Sequence, residues 1–392
     1  MKNLVVLSAA RTPVGSFLGK LSPLPAPALG SVAIKTALER AGVKPEEVEQ
    51  VVFGNVLQAG EGQAPARQAS LAAGIPDTVP CITVHKVCGS GMRAVMDVGN
   101  AIQAGEYEVA VAGGMESMSN APYLLERART GLRMGNGTLV DSMIKDGLWD
   151  PYKDVHMGQC AEMCAAKYHF TREEQDAFSL ESYRRAQNAV KTCLFSEEIA
   201  PVEVPQKKGE PLKIDADEEP FAAPLEKIAG LKPVFQKEGT VTAANSSKIN
   251  DGAAALVVTT DEKAKAKGWK AIARIVAYAG VAQAPEWFTT APVGAIRKLL
   301  EKTGLSTSDI DLFEINEAFA AVAMAAIKDL DLDPAKVNVR GGAVALGHPI
   351  GASGARILTT LIHALRKEGK KRGVAAICIG GGEATAMLIE TA

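Results

Sequence analysis

Cys88 opens the run Cys88-Gly89-Ser90-Gly91. The residues before it, Val79 to Val87, include Ile82, Thr83 and Val84 and read as a strand. Those after it place Met92, Val95, Met96 and Ile102 on one helical face. A thiol at such a turn lies near a helix N-terminus, where unpaired N–H groups and the macrodipole favour thiolate, so its pKa is expected below the free value of about 8.5. The small neighbours let an acyl group come close to the backbone, which is the logic of a nucleophile elbow with sulfur in place of oxygen. A buried, inert cysteine is the alternative.

His348 lies in the glycine-dense run from Gly341 to Gly354, ahead of another helical pattern. The chain has five histidines. His85, His169 and His363 sit in ordinary strand or helix patterns, so His348 is the candidate general base. Cys378-Ile379-Gly380-Gly381-Gly382 ends an apolar strand in three glycines whose N–H groups are free to receive an oxyanion, or which simply permit tight packing. Asn316, in Asn316-Glu317-Ala318-Phe319, follows a strand and precedes an alanine-rich helix, as a helix cap, a hydrogen-bond donor, or both. Cys160 and Cys164 have helical spacing but no further ligand pair with suitable spacing, so no metal site is expected.

The elements that must position these residues occur twice. At an offset of 262, Ala33-Ile34-Lys35 recurs as Ala295-Ile296-Arg297, Leu38-Glu39-Arg40 as Leu300-Glu301-Lys302, and Gly42-Val43 as Gly304-Leu305. Each copy reads as an amphipathic helix closed by glycine, then a polar turn and an apolar strand. At an offset of 263, Ser90-Gly91-Met92-Arg93 recurs as Ser353-Gly354-Ala355-Arg356, and Val109 to Gly114 resembles Ala375 to Gly381. The period is too long for a solenoid, so a duplicated βαβ-type domain is inferred. The first copy matches the second only if a segment near 119–249 is an insertion. That stretch contains Pro201, Pro205, Pro211, Pro220, Pro224 and Pro233, with acidic residues from Asp215 to Glu219. Within it, Thr171-Arg172-Glu173-Glu174 forms a capping box for a helix to about Val190. Ala253 to Thr259 reads as a core strand. The expected division is 1–118 with 250–270, an inserted 119–249, and 271–392.

With 392 residues, 47% apolar and 22% charged, the chain can fill more than one core. A net charge of −2 provides no global basic field for nucleic acid or an anionic membrane. The longest apolar run, Ala318 to Ile327, is about half of a membrane span. The first residues read as a strand with no signal peptide. Six cysteines are too sparse for a secreted disulfide framework, and a cytoplasmic location is expected.

Taken together, Cys88-Gly89-Ser90, Asn316-Glu317-Ala318-Phe319, Gly347-His348-Pro349 and Cys378-Ile379-Gly380 resemble, in order and spacing, the four active-site motifs of the thiolases. Ala9-Ala10-Arg11-Thr12-Pro13 and Gly113-Gly114-Met115-Glu116-Ser117-Met118 extend the likeness nearly end to end. The resemblance implies an α/β fold, the duplicated five-layer α-β-α-β-α thiolase fold with an inserted loop domain that binds CoA, and assembly as a homotetramer. It also implies reversible Claisen condensation of two acetyl-CoA to acetoacetyl-CoA and CoA, with CoA as co-substrate and no metal or redox cofactor. Cys88 would carry the acyl group and His348 would deprotonate it. Asn316 would hold a water beside the enolate, Cys378 would move the α-proton, and the N–H groups of Cys88 and Gly380 would bind the oxyanion. His156-Met157-Gly158 is similar to the loop-domain motif of short-chain, biosynthetic-type members. Leu148, Leu231, Phe235, Ala243, Ser247 and Phe319 fall where that family lines the pantetheine tunnel. Lys227, Lys232 and Arg184 are candidate phosphate partners or solvated surface charges. Two stretches differ from relatives: Phe221 follows Pro220 where an arginine is common, and Phe288-Thr289-Thr290-Ala291-Pro292 replaces Met-Gly-Thr-Gly-Pro. A broader-chain 3-ketoacyl-CoA thiolase is the alternative activity.

Overall fold

The computed structural model describes residues 2–222 and 224–392. The first copy of the plan runs β1 (Leu4–Arg11), α1 (Ala26–Ala41), β2 (Gln50–Gly54), α2 (Pro65–Ala72), β3 (Cys81–Val84), α3 (Ser90–Ala104) and β4 (Ala110–Ser117). An excursion through α4 (Met157–Tyr168) and α5 (Arg172–Lys191) returns to β5 (Asn250–Thr260). After α6 (Asp261–Lys267), the second copy runs β6 (Ala273–Ala282), α7 (Ala291–Thr303), β7 (Leu312–Ile315), α8 (Ala320–Asp329), α9 (Ala343–Leu346), α10 (Ile350–Lys367), β8 (Arg372–Ile379) and β9 (Glu383–Thr391). α1 and α7 both end on a glycine in the left-handed region, Gly42 at φ 65° and Gly304 at φ 68°, as their matching sequences require.

The strand order β7-β8-β9-β6-β1-β5-β4-β2-β3 has an internal mirror. The order β3-β2-β4-β5-β1 of one half is answered by β7-β8-β9-β6 of the other. β2 is parallel to β3 and β4, and β7 is parallel to β8; the remaining neighbours are antiparallel. The second-half counterpart of β3 is reduced to a bridge, Phe313 to Val337, in the place of Val51 to Cys81. A short ladder, Leu4 to Ile275 through Val6 to Ala273, joins the halves.

Both faces of each half-sheet are covered, so β2, β4, β5 and β8 are almost wholly buried apolar runs, as expected of strands packed on two sides. α1 and α2 cover the outer face of the first half. α7 and α8 cover the outer face of the second. α3 and α10 lie between the halves in one shared core with Met92, Val95, Ile357 and Leu361. The layers are therefore α-β-α-β-α, as the resemblance implied.

The two middle helices cross where the repeat aligns Gly91 with Gly354. A Cβ on Gly91 would lie 2.8 Å from the Ala355 nitrogen, and one on Gly354 would strike the Met92 nitrogen. Only hydrogen fits at that crossing. Residues 119–249 give the large sheet no strand among the described residues. They are held by Arg11 at the end of β1, which donates to Glu198 at 2.6 Å and to Asp217 at 2.7 and 2.9 Å. The capping box at Thr171 is present, with the Glu174 N–H donating to Thr171 Oγ1 at 3.1 Å.

Candidate active site

α3 and α10 both begin at the same cavity. β3 is shorter than the predicted strand and stops at Val84, leaving Lys86, Val87 and Cys88 as a tight turn into α3. Ser90 fixes that turn: its Oγ accepts from the Lys86 N–H at 2.8 Å and donates to the Val87 carbonyl at 2.7 Å. Val87 holds φ 45°, a strained conformation for a β-branched side chain of the kind found at functional sites. A Cβ on Gly89 would strike Ile379, so the Cys88 turn and the Cys378–Gly380 strand end are pressed together.

Cys88 opens into a cavity of about 240 Å³ lined also by His348, Gly380, Met157, Phe288 and Phe319. Burial pushes the Cys88 thiol up to about 12, although the nearby backbone N–H groups of Gly380 and Cys88 itself oppose the rise. The expected lowering is therefore overturned: desolvation outweighs the helix N-terminus, and Cys88 is a neutral thiol that needs a base.

His348 supplies a suitable group. Its Nδ1 lies 2.6 Å from Ser353 Oγ, whose own proton goes to the Pro349 carbonyl at 2.8 Å. The ring proton therefore sits on Nδ1, and Nε2 keeps a free lone pair. Nε2 is buried and has no protein partner. Burial, and then the charge of Arg356, lowers the imidazole pKa to about 3, so the ring is neutral at any ordinary pH and its Nε2 lone pair is unprotonated. Ser353 is the repeat partner of Ser90, and each serine fixes the turn that precedes its helix.

Asn316 lies just beyond β7, and α8 begins only at Ala320 with Phe319 as its N-cap. The capping role is thus excluded. Its Oδ1 faces Arg356 at 3.5 Å, and Nδ2, like His348 Nε2, is buried without a protein partner. Arg356 is held by Glu314 at 3.2 Å. Cys378 is 0% exposed and does not line the cavity. It packs behind the wall with Met157, Phe288 and Phe319. Burial, and then the charge of a Cys88 thiolate, raise the Cys378 pKa far above the ordinary range, so the two sulfurs are close enough to feel one another.

The opposite wall belongs to the excursion. His156 caps α4: its Nδ1 accepts from the Gly158 N–H at 3.0 Å, leaving the proton on Nε2. The ring stacks on Phe235 at 4.7 Å, and Phe235 meets Phe319 edge-on at 6.1 Å. A side chain on Gly158 would strike the Phe235 ring, which explains the third residue of that motif. Leu148, His156, Met157, Phe235, Ser247 and Phe319 line the cavity. Leu231 and Ala243 are exposed and are not among the residues of its wall. Lys227, Lys232, Arg184 and Phe221 are likewise exposed.

Three groups were missed in the sequence. Ser353 was visible in the repeat but was given no role. Glu116 accepts hydrogen bonds from Asn55 Nδ2 and the N–H groups of Val56, Leu57 and Gly351, at 2.8–3.1 Å; it tethers the first turn of α10, and an acid in the apolar strand β4 was its signal. Lys248 lines the cavity, and its isolated cation gave no signal.

Residues 4–262 match the thiolase N-terminal domain family and residues 269–391 the thiolase C-terminal domain family. The chain is 52% identical to an acetyl-CoA acetyltransferase of Cupriavidus necator, over all of both chains. It is 54% identical to acetyl-CoA acetyltransferase 1 of Arabidopsis thaliana, over 99% of this chain and 94% of that protein. Among solved structures, the acetyl-CoA acetyltransferase of Bacillus anthracis superposes with a TM-score of 0.98 at 44% identity, covering 100% of this chain and 99% of that one. The Acat5 thiolase of Ascaris suum, solved in complex with coenzyme A, gives 0.95 at 47% identity, with complete coverage of both.

Proposed function

Because the chain belongs to the thiolase family, and is thus an acyltransferase, we propose that it is an acetyl-CoA C-acetyltransferase, joining two acetyl-CoA into acetoacetyl-CoA and CoA reversibly. The observation that carries this reading is the convergence of the Cys88 thiol, the partnerless His348 Nε2 and the Gly380 N–H on one cavity, with a second thiol, Cys378, behind its wall.

His348 takes the Cys88 proton as sulfur attacks the thioester carbonyl. The N–H groups of Cys88 and Gly380, both close to the sulfur, hold the oxyanion. CoA leaves with the proton from His348, and Cys88 keeps the acetyl group. His348, neutral again once CoA has left, takes the Cys378 proton, and a second acetyl-CoA gives its α-proton to the thiolate so formed. Burial makes each thiol a weak acid and its thiolate a strong base, which suits abstraction from carbon. Asn316 Nδ2 and His348 Nε2, which lack protein partners, hold water beside the developing enolate oxygen. The carbanion attacks acetyl-Cys88, the C–S bond breaks, and the Cys88 sulfur takes the proton held on His348, while the α-proton stays on Cys378 and restores its thiol. Besides these proton transfers only carbon–sulfur and carbon–carbon bonds change and no electrons are lost, so the cycle needs no redox cofactor, and side chains and N–H groups of the chain supply the acid–base and oxyanion roles without a metal.

Met157, Phe288 and Phe319 narrow the cavity, which supports a two-carbon acyl group over long chains. We assign 119–249 as the CoA-binding loop domain between repeat domains 1–118 with 250–270 and 271–392. Exposed Tyr123, Leu125, Met134 and Leu139 on one hairpin segment support self-assembly, in our reading as a homotetramer. Six free thiols favour a reducing, cytoplasmic setting.

Mass spectrometry after incubation with acetyl-CoA tests the assignment: one acetyl group on Cys88 is expected. Thiolysis of acetoacetyl-CoA should exceed that of a long-chain 3-ketoacyl-CoA. A preference for the long chain would reject the substrate.

A further inference from the structure

The cavity wall holds a cation that the acyl-transfer cycle does not use. Lys248 Nζ donates to three backbone carbonyls, those of Ala243 at 2.6 Å, Ser246 at 2.9 Å and Val344 at 3.3 Å, and lies 5.6 Å from the Tyr183 ring. An ammonium has three N–H donors and no acceptor, so the cage satisfies it completely. Its hydrogen-bond partners are all neutral carbonyl dipoles. No carboxylate makes a bond to it; Glu219 and Glu317 act only at longer range. Rings of carbonyls are the ligand set of a dehydrated monovalent cation. Burial lowers the lysine pKa to about 8, which leaves it mostly charged at neutral pH.

The cage joins two parts of the site. Residues 243–248 form a wall tied to the Asn316–Phe319 segment by Ser247 N–H to the Ala318 carbonyl at 2.9 Å and Ala320 N–H to the Asn245 carbonyl at 2.8 Å. Val344 lies in α9, which leads through Gly347 directly to His348. Without a cation, three converging carbonyl dipoles would face one another unpaired, and both segments would be free to separate.

We propose that Lys248 is a tethered monovalent cation, a positioning residue whose ammonium fills a carbonyl cage that K+ or NH4+ can occupy once the side chain is cut back. Na+ is smaller than an ammonium group and fits the same oxygens less well.

This inference rests on the thiolase reading, and one assay series separates the two. Thiolysis of acetoacetyl-CoA is measured for the wild type, Lys248→Ala and Lys248→Met at constant ionic strength in tetramethylammonium, sodium, potassium or ammonium chloride. Wild-type activity should not depend on the cation. Lys248→Ala should lose about tenfold or more in kcat/KM in tetramethylammonium chloride, and should recover saturably with K+ or NH4+. Lys248→Met, whose apolar stem fills the space, should stay low in every salt. Full activity of Lys248→Ala in all salts, or a folded Lys248→Ala that no cation rescues, would overturn the proposal. An inactive wild type would instead overturn the reaction assignment. Should Lys248→Ala be poorly folded, its melting temperature is read in the same salts; stabilisation by K+ and NH4+ over tetramethylammonium is required, and its absence also rejects the cage.

Discussion

At Cys88 the choice lies between a thiolate prepared in advance and a thiol deprotonated on demand, and burial decides for the second. With His348 lowered to about 3 and Cys88 raised to about 12, the imidazole is already unprotonated above its pKa and the thiol still protonated below its own. Neither group titrates from about pH 5 to 10, so single-turnover acetylation of Cys88 by acetyl-CoA should be flat across that range. A rate falling tenfold per pH unit on the acid side would show a free thiolate instead. The sulfurs also divide their work. Cys88→Ala should abolish acetyl-enzyme, whereas Cys378→Ala should leave Cys88 acetylation measurable by mass spectrometry while cutting condensation by about a hundredfold or more. Equal loss of both activities would refute that division. The types and spacing of these residues were legible in the sequence because each motif is local. The direction of the Cys88 pKa was not, since desolvation comes from walls contributed by residues 157, 235, 288 and 319, far away along the chain.

The elements contribute through α3 and α10, which bring Cys88 and His348 to one place by crossing at Gly91 and Gly354. Gly354→Ala separates packing from propensity. Alanine gains roughly 1 kcal/mol in a helix interior, yet its Cβ would strike the Met92 backbone nitrogen, and overpacking of this kind costs about 1–3 kcal/mol. The clash is against backbone and should win, lowering the melting temperature. Stability equal to or above wild type would mean that the helices can slide apart. Ser353→Ala, one residue away, should behave differently: a modest fall in melting temperature from the lost bond to the Pro349 carbonyl, but a much larger fall in kcat, because Nδ1 loses the partner that orients the ring and fixes its tautomer. The sequence revealed that these helices are copies of one another, through the offset of 263. It could not reveal that the copies touch, since a crossing is a tertiary contact between positions far apart in the chain. Leu231 and Ala243, assigned to the tunnel, stand exposed outside the cavity wall, a placement hidden for a related reason. Alanine and leucine in a loop carry no periodicity to say which way they face.

Across the whole molecule, the excursion was legible as an insertion from its prolines and the interrupted repeat, but what holds it was hidden, because an arginine in a sequence reads as surface. Arg11 and Arg340 are each only 1% exposed, and both face Glu198. Arg11 ends β1 in the first half. Arg340 belongs to the second, and reaches the Leu194 carbonyl at 2.8 Å and the His363 carbonyl at 3.1 Å. Thr360 of α10 also donates to Glu198 at 3.0 Å. One carboxylate of the excursion thus neutralises a charge from each half. Glu198→Gln keeps the shape but leaves Arg340 with no acid partner and Arg11 with Asp217 alone, and breaking a buried pair in this way costs about 3–5 kcal/mol. The manner of unfolding is the sharper test. The halves share the core around Met92 and Leu361 and are joined by the β1–β6 ladder, so neither can lose its packing without exposing the other. The variant should therefore unfold at lower denaturant in one transition, with far-UV circular dichroism and tryptophan fluorescence coinciding. Separate midpoints, or proteolytic cutting within 119–249 before the sheet is lost, would show instead that the excursion is an independent unit and that Glu198 serves only its attachment.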